Sequence, residues 1–153
     1  MSSSPYFVPL IVSNLFALVL LIAAIFWPRL VRWSFAILFF AASLVNATLA
    51  IRQPELYVES YGSTALLGIY RDFINGIFST YATSILLAIA LGQLLVAVFL
   101  IRDGALFRLG VVGACLFLVA IAPLGLGSAF PSTLIMVAAV VMMAYNLIKM
   151  GSA

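Results

Sequence analysis

The sequence predicts an all-α integral membrane bundle, and three observations carry that prediction. Of 153 residues, 67% are hydrophobic and only 7% charged, against about a quarter charged in a soluble domain. Five stretches reach or approach the roughly 20 apolar residues that a helix needs to cross a bilayer. The Lys and Arg residues gather in alternate connections between those stretches, as positive-inside threading requires. No soluble segment, Ser- or Pro-rich linker or internal repeat breaks the pattern, so residues 1–153 read as one polytopic domain.

The first span covers about Tyr6 to Trp27 and stops at Pro28. It reads as a retained span rather than a cleaved signal peptide, because "MSSSPYFVP" lacks a basic leader and the apolar run is too long. The second runs from Trp33 to about Ile51, ended by Arg52 and Pro54. The third runs from about Gly76 to Ile101 and stops at Arg102-Asp103-Gly104. The fourth, about Leu106 to Ala122, halts at Pro123, and the fifth covers about Pro131 to Ile148. These last two are short, and the alternative is that they pair as a re-entrant hairpin, leaving four spans.

Basic residues choose between the two. With five spans, Arg29, Arg32, Arg102, Arg108 and Lys149 share one side, and Arg52 and Arg71 the other. With four, Lys149 changes sides and the bias nearly vanishes. Five spans therefore fit, with the N-terminus outside and the C-terminus cytoplasmic in a plasma membrane, the bacterial inner membrane being the expected one. The basic fringe suits anionic lipid headgroups, although topology alone accounts for it. A net charge of +3 gives no reason to expect a nucleic-acid partner.

Between spans two and three lies "PELYVESYGSTALLGIYRDF", which holds three of the four acidic residues and half of the six tyrosines. From Thr64, Leu66, Leu67, Tyr70, Phe73, Ile74, Ile77 and Tyr81 recur at spacings of three and four. Arg71, Asp72, Asn75 and Ser79 take the other face. That pattern predicts an interfacial amphipathic helix at about 64–75, feeding the third span. Tyr57, Tyr61 and Tyr70 suit an aromatic belt. Glu55 and Glu59 share a helical face within reach of Arg52 and Arg71.

Intramembrane polar groups point to a pocket beneath this cap. Asn14 falls in the outer half of span one, Asn46 and Thr48 in that of span two, and Thr80 and Thr83 open span three. An amide buried without a partner costs about 1–3 kcal/mol, so these groups should face one another or water. The candidate ligand-binding residues are accordingly Asn14, Asn46, Glu55, Glu59, Tyr70, Arg71, Asp72 and Asn75. Gln93, Tyr145 and Asn146 form a second polar set nearer the cytoplasm, with Gln93 expected to satisfy Asn146. The sequon Asn46-Ala47-Thr48 sits within a span and is read as unmodified.

Small residues mark helix contacts. Thr80, Ser84, Ala88 and Gly92 repeat every four residues on span three, and Gly110, Gly113 and Ala114 do so less regularly on span four. Both predict close packing, within the chain or in a homo-oligomer. The uncharged segment 122–133, with Gly125, Gly127 and Ser128, reads as a tight membrane-embedded turn rather than an anion cradle, since no phosphate-loop Lys follows it.

The chemistry the chain can perform is narrow. It has no His and one Cys, Cys115, which removes His-held haem, His metal sites, Ser-His triads, intrachain disulfides and CxxC centres. No cofactor is expected. The reading is a small membrane protein without redox or metal chemistry. It binds a membrane lipid, a small apolar molecule or a partner membrane subunit through an outward-facing polar pocket under residues 55–75. The alternatives are a small oligomeric transporter or channel, and a lipid-modifying enzyme using Glu59 or Asp72 as general base. The first lacks ionisable groups through the membrane centre, and the second needs a carboxylate in a cleft.

Overall fold

The computed structural model describes residues 7–61, 65–124 and 130–151. Gly125, Gly127 and Ser128 lie outside them, as do Tyr6 and Thr64 at the expected element starts. The described chain is helical: α1 (Phe7–Phe26), α2 (Pro28–Arg52), α3 (Glu55–Tyr61), α4 (Gly68–Phe73), a π turn (Ile74–Phe78), α5 (Ala82–Leu100), α6 (Ala105–Ile121) and α7 (Ser132–Lys149). Five of these, α1, α2, α5, α6 and α7, are long and apolar enough to cross a membrane, with α6 prolonged to Leu124. The two short runs at the end of the chain are thus separate full-length helices, not a re-entrant hairpin.

Two boundaries differ from the sequence reading. Pro28 begins α2 at its first position, where its missing N–H removes nothing. The helix consequently absorbs Arg29 and Arg32, and its 25 residues extend about 37 Å at 1.5 Å per residue. The third span starts at Ala82 rather than Gly76. Before it, the Ser79 hydroxyl lies 2.9 and 2.8 Å from the Asn75 and Gly76 carbonyls, and the Thr80 hydroxyl donates to Gly76 at 3.2 Å. Such back-bonding widens and bends a helix. The amphipathic segment therefore begins at Gly68, passes into the π turn, and breaks at Tyr81 before α5.

Four helices close a ring: α2 packs on α5, α5 on α6, α6 on α7 and α7 on α2. α1 lies outside the ring, mainly along α7, and is the least buried span. The main core joins Phe35 and Phe39 of α2, Leu100 of α5, Phe107 of α6 and Met143 and Leu147 of α7. Large apolar side chains such as Val8, Ile37, Leu91 and Leu116 point outward along all these spans, as suits helices solvated by hydrocarbon.

Hydrocarbon gives no drive for helices to associate, so close approach and polar contacts must do it. Gly110 provides the closest approach: a Cβ there would meet Leu100 N at 2.8 Å and Phe99 C at 2.9 Å. One turn on, a Cβ at Gly113 would meet Val96 Cγ2 at 2.8 Å. The stripe on span four packs as expected. The stripe on span three takes no part in packing within the chain: Ser84, Ala88 and Gly92 are exposed and nothing lies within 4 Å of a Cβ on Gly92. The packed side of α5 is instead Ala82, Leu86, Ala90, Gln93, Ala97 and Leu100.

Candidate functional site

The ring is tight at the end bearing Arg29, Arg102 and Arg108. There Arg32 turns inward, its side chain only 11% exposed. Its guanidinium donates to the Leu100 carbonyl, to the Arg102 carbonyl and, at 3.0 Å, to Asp103. It also lies 4.6 Å from the centroid of the Phe107 ring. Helix C-termini leave carbonyls without helical partners, and a forked cation suits them. Arg32, expected only as part of a cytoplasmic basic fringe that sets topology, is thus the clamp that ties α2 to the end of α5.

At the opposite end the ring opens around a cavity of about 330 Å³, within the range of small-molecule sites. Phe35, Phe39 and Val45 of α2, Phe117, Leu118 and Ile121 of α6, and Met136 of α7 give it apolar walls. Its polar groups are Asn46, Gln93, Tyr57 and Tyr61. A hydrogen-bonded chain joins three of them. The Tyr57 hydroxyl donates to Asn46 Oδ1 at 2.8 Å, and Asn46 Nδ2 donates to Gln93 Oε1 at 2.7 Å. Gln93 is 3% exposed, and among the described residues the buried side-chain atom without a hydrogen-bond partner is Thr133 Oγ1.

Helix α3 roofs this cavity. Pro54 turns the chain out of α2, and the seven-residue helix that follows places Tyr57 and Tyr61 on one face. Their rings stand 4.8 Å apart, and Tyr57 continues to Phe78 at 5.9 Å, which meets Phe73 at 6.1 Å. Tyr57 and Val58 also pack on Ala50, Phe78, Ala82 and Leu86. Burial raises the phenol pKa of both tyrosines, and for Tyr57 the neighbouring Tyr61 adds to the rise. Both remain neutral donors at physiological pH.

Beside the first cavity lies a second, of about 290 Å³, lined by Tyr70, Phe73, Ile74 and Phe78, by Ile89 of α5 and by Ala120 of α6. It shares Tyr57, Tyr61, Phe117, Ile121 and Leu124 with the first. Two bonds hold its cover to the end of α6: the Tyr70 hydroxyl donates to the Ala120 carbonyl at 2.9 Å, and Leu66 N to the Pro123 carbonyl at 2.9 Å. Both use carbonyls that the end of α6 leaves spare.

The eight residues expected at the site separate in space. Asn46 is buried in the wall of the larger chamber, and Tyr70 lines the smaller. Asn14, half-buried, donates to its own helix at Leu10 O, 2.8 Å away. Glu55 and Glu59 share a face of α3 as the spacing implied, but it is the exposed one, and neither lines a chamber. Arg71, Asp72 and Asn75 are exposed too. Among the described residues Arg52 and Arg71 form no ion pair with these carboxylates.

The expected gathering of amides is likewise replaced by a smaller one. Thr48 bonds its own helix at Leu44 O. Gln93 pairs with Asn46 rather than Asn146, whose Nδ2 instead reaches the Ala24 carbonyl at 3.0 Å. The chamber residues not anticipated are Gln93, Tyr57, Tyr61 and Phe117. The spacing of Tyr57 and Tyr61, on the face of α3 opposite Glu55 and Glu59, carries that information in sequence once Pro54 is taken as a helix start.

What this arrangement can do chemically is limited. Among the described residues no carboxylate, lysine or arginine lines either chamber, so these residues offer neither a charge to a ligand nor a base to a substrate. They offer apolar and aromatic surface, amide N–H donors and phenol hydroxyls. Compared with protein-family models, curated proteins and solved structures, the chain matches none.

Proposed function

We propose that this is a non-enzymatic membrane protein that binds a small neutral apolar molecule inside the helix ring, beneath α3. One observation carries the reading: the hydrogen-bonded Tyr57–Asn46–Gln93 chain, set in the wall of an otherwise apolar cavity. A cavity of this size with few, fixed polar groups is what an apolar ligand with one polar function needs.

The transporter and enzyme readings find less support. Pathways for ions are marked by ionisable groups, and Glu55, Glu59 and Asp72 stand on exposed faces away from both chambers. A carboxylate base would need to border a cleft. Native mass spectrometry of protein extracted in mild detergent tests the proposal. A retained neutral small molecule, reduced by at least half in Gln93→Leu when both proteins are compared well below their unfolding midpoints, is the expected outcome. A protein that carries nothing from its membrane, and takes up no neutral lipid from mixed micelles, would remove the binding reading.

A further inference from the structure

Granted that binding function, we propose that the side chamber holds the tail of the ligand, so that the ligand is a neutral single-chain amphiphile whose head accepts a hydrogen bond. Three features lead there. The two cavities share five lining residues and so abut across Tyr57, Tyr61, Phe117, Ile121 and Leu124. The larger carries the amide pair at its wall, whereas the smaller has only phenols among apolar side chains. Head and tail are thereby assigned by polarity.

The second feature is the shape of the α5–α6 pair. The two helices touch through backbone at Gly110 and Phe99–Leu100. Two to three turns further along α6, Phe117, Ala120 and Ile121 border the side chamber, with Ile89 of α5 across from them. At that end the chamber and rings from the α4 segment lie against both helices. Ala120 and Phe73 line that chamber and are also exposed on the flank of the bundle. In a bilayer that flank is hydrocarbon, so an alkyl chain passes from lipid to chamber without crossing water.

The third feature is the amide donor. Gln93 lines the larger chamber, and its N–H₂ can donate to a carbonyl, ester or hydroxyl oxygen there. A carboxylate would not be favoured, because among the described residues no cation lines either chamber and its desolvation would go uncompensated.

The test uses the full chain in lipid nanodiscs with three radiolabelled probes: methyl palmitate, palmitate and the compact ester methyl benzoate. Wild type should bind methyl palmitate at least roughly tenfold more tightly than palmitate. Ile89→Trp, which fills the side chamber, should lower the ratio of methyl palmitate to methyl benzoate affinity by about tenfold, since the alkyl chain loses its room and its packing contacts there. Ala120→Trp, at the exposed mouth where overpacking is less severe, should lower it in the same direction. An unchanged ratio in both variants, or palmitate binding as well as its ester, overturns the amphiphile assignment while leaving a compact-ligand site intact. Failure of wild type to bind either ester overturns the binding function itself.

Discussion

The two ends of the helix ring are built on opposite plans. At the basic end α5 and α6 meet backbone to backbone at Gly110, Arg32 fastens α2 to the end of α5, and Leu100, Phe107 and Leu147 are sealed from the surface. At the other end α3, α4 and the π turn cover two chambers with tyrosine and phenylalanine rings. Flat rings on short helices cannot interdigitate as closely as glycine against backbone, and two chambers remain. One end holds the bundle together so that the other can stay open. In a membrane, where helix association gains little from the hydrophobic effect, that division allows a cavity without loss of the fold.

The most severe way to break the contrast is Gly110→Ala. Its methyl would meet backbone atoms of Phe99 and Leu100 at under 3 Å, and backbone cannot rotate away. A loss of about 2–3 kcal/mol is expected, read as a lower thermal midpoint in detergent. The same change at Gly92, which faces open space, should be neutral or slightly stabilising. Equal effects at the two sites would contradict the close approach.

Next in size is the clamp. Arg32→Ala should cost about 2 kcal/mol, the scale of buried hydrogen bonds to a charged group, measured by the same unfolding midpoint. Lys should recover less than half, for want of a fork to bridge two carbonyls. Asp103→Asn should cost under about 0.5 kcal/mol, because that carboxylate is 78% exposed and such pairs contribute little. If Asp103 proved as important as Arg32, the ion pair rather than the helix-end carbonyls would be the fastening.

At the open end, single and double substitutions should diverge. Asn46→Leu leaves Tyr57 and Gln93 without their partner and should cost about 1–2 kcal/mol. Asn46→Leu with Gln93→Leu should cost less than the single change, since both amides leave together. Strictly additive losses would argue against the bond between them.

The smallest effect is with pH. Folded Tyr57 and Tyr61 hold phenol pKa values raised by burial, whereas unfolded tyrosine titrates near about 10. Their contribution is complete below that value and falls as pH rises through it, because only the unfolded chain then releases protons. Unfolding midpoints should be flat from about pH 6 to 9 and decline above about pH 10. The Tyr57→Phe, Tyr61→Phe double variant should lose part of that decline.

Legibility in the sequence followed the range of the interaction involved. Hydrophobic length and local breakers identified the five spans, and Pro54 and the three-and-four spacing of Leu67, Tyr70 and Ile74 located the helical cap. The site was harder. In a span that begins at Gly76 Gln93 reads as a cytoplasmic-side residue; the π turn moves the start to Ala82, which leaves Gln93 near the middle of α5. Asn14 and Thr48 found partners on their own helices, an option that shared depth does not reveal. Arg32 carried a topology signal so strong that its inward turn had no separate trace.

By itself the sequence determined the all-helical class, the number of long apolar helices and the poverty of catalytic groups, because these depend only on composition and on spacing along one helix. Tertiary structure alone decided that α1 stays outside a four-helix ring, that Asn46 rather than Asn146 answers Gln93, and that Glu55 and Glu59 turn away while Tyr57 and Tyr61 turn in. Those outcomes depend on the rotation and neighbour order of helices that all look alike to hydrocarbon. Only a few glycines and amides distinguish one arrangement from another.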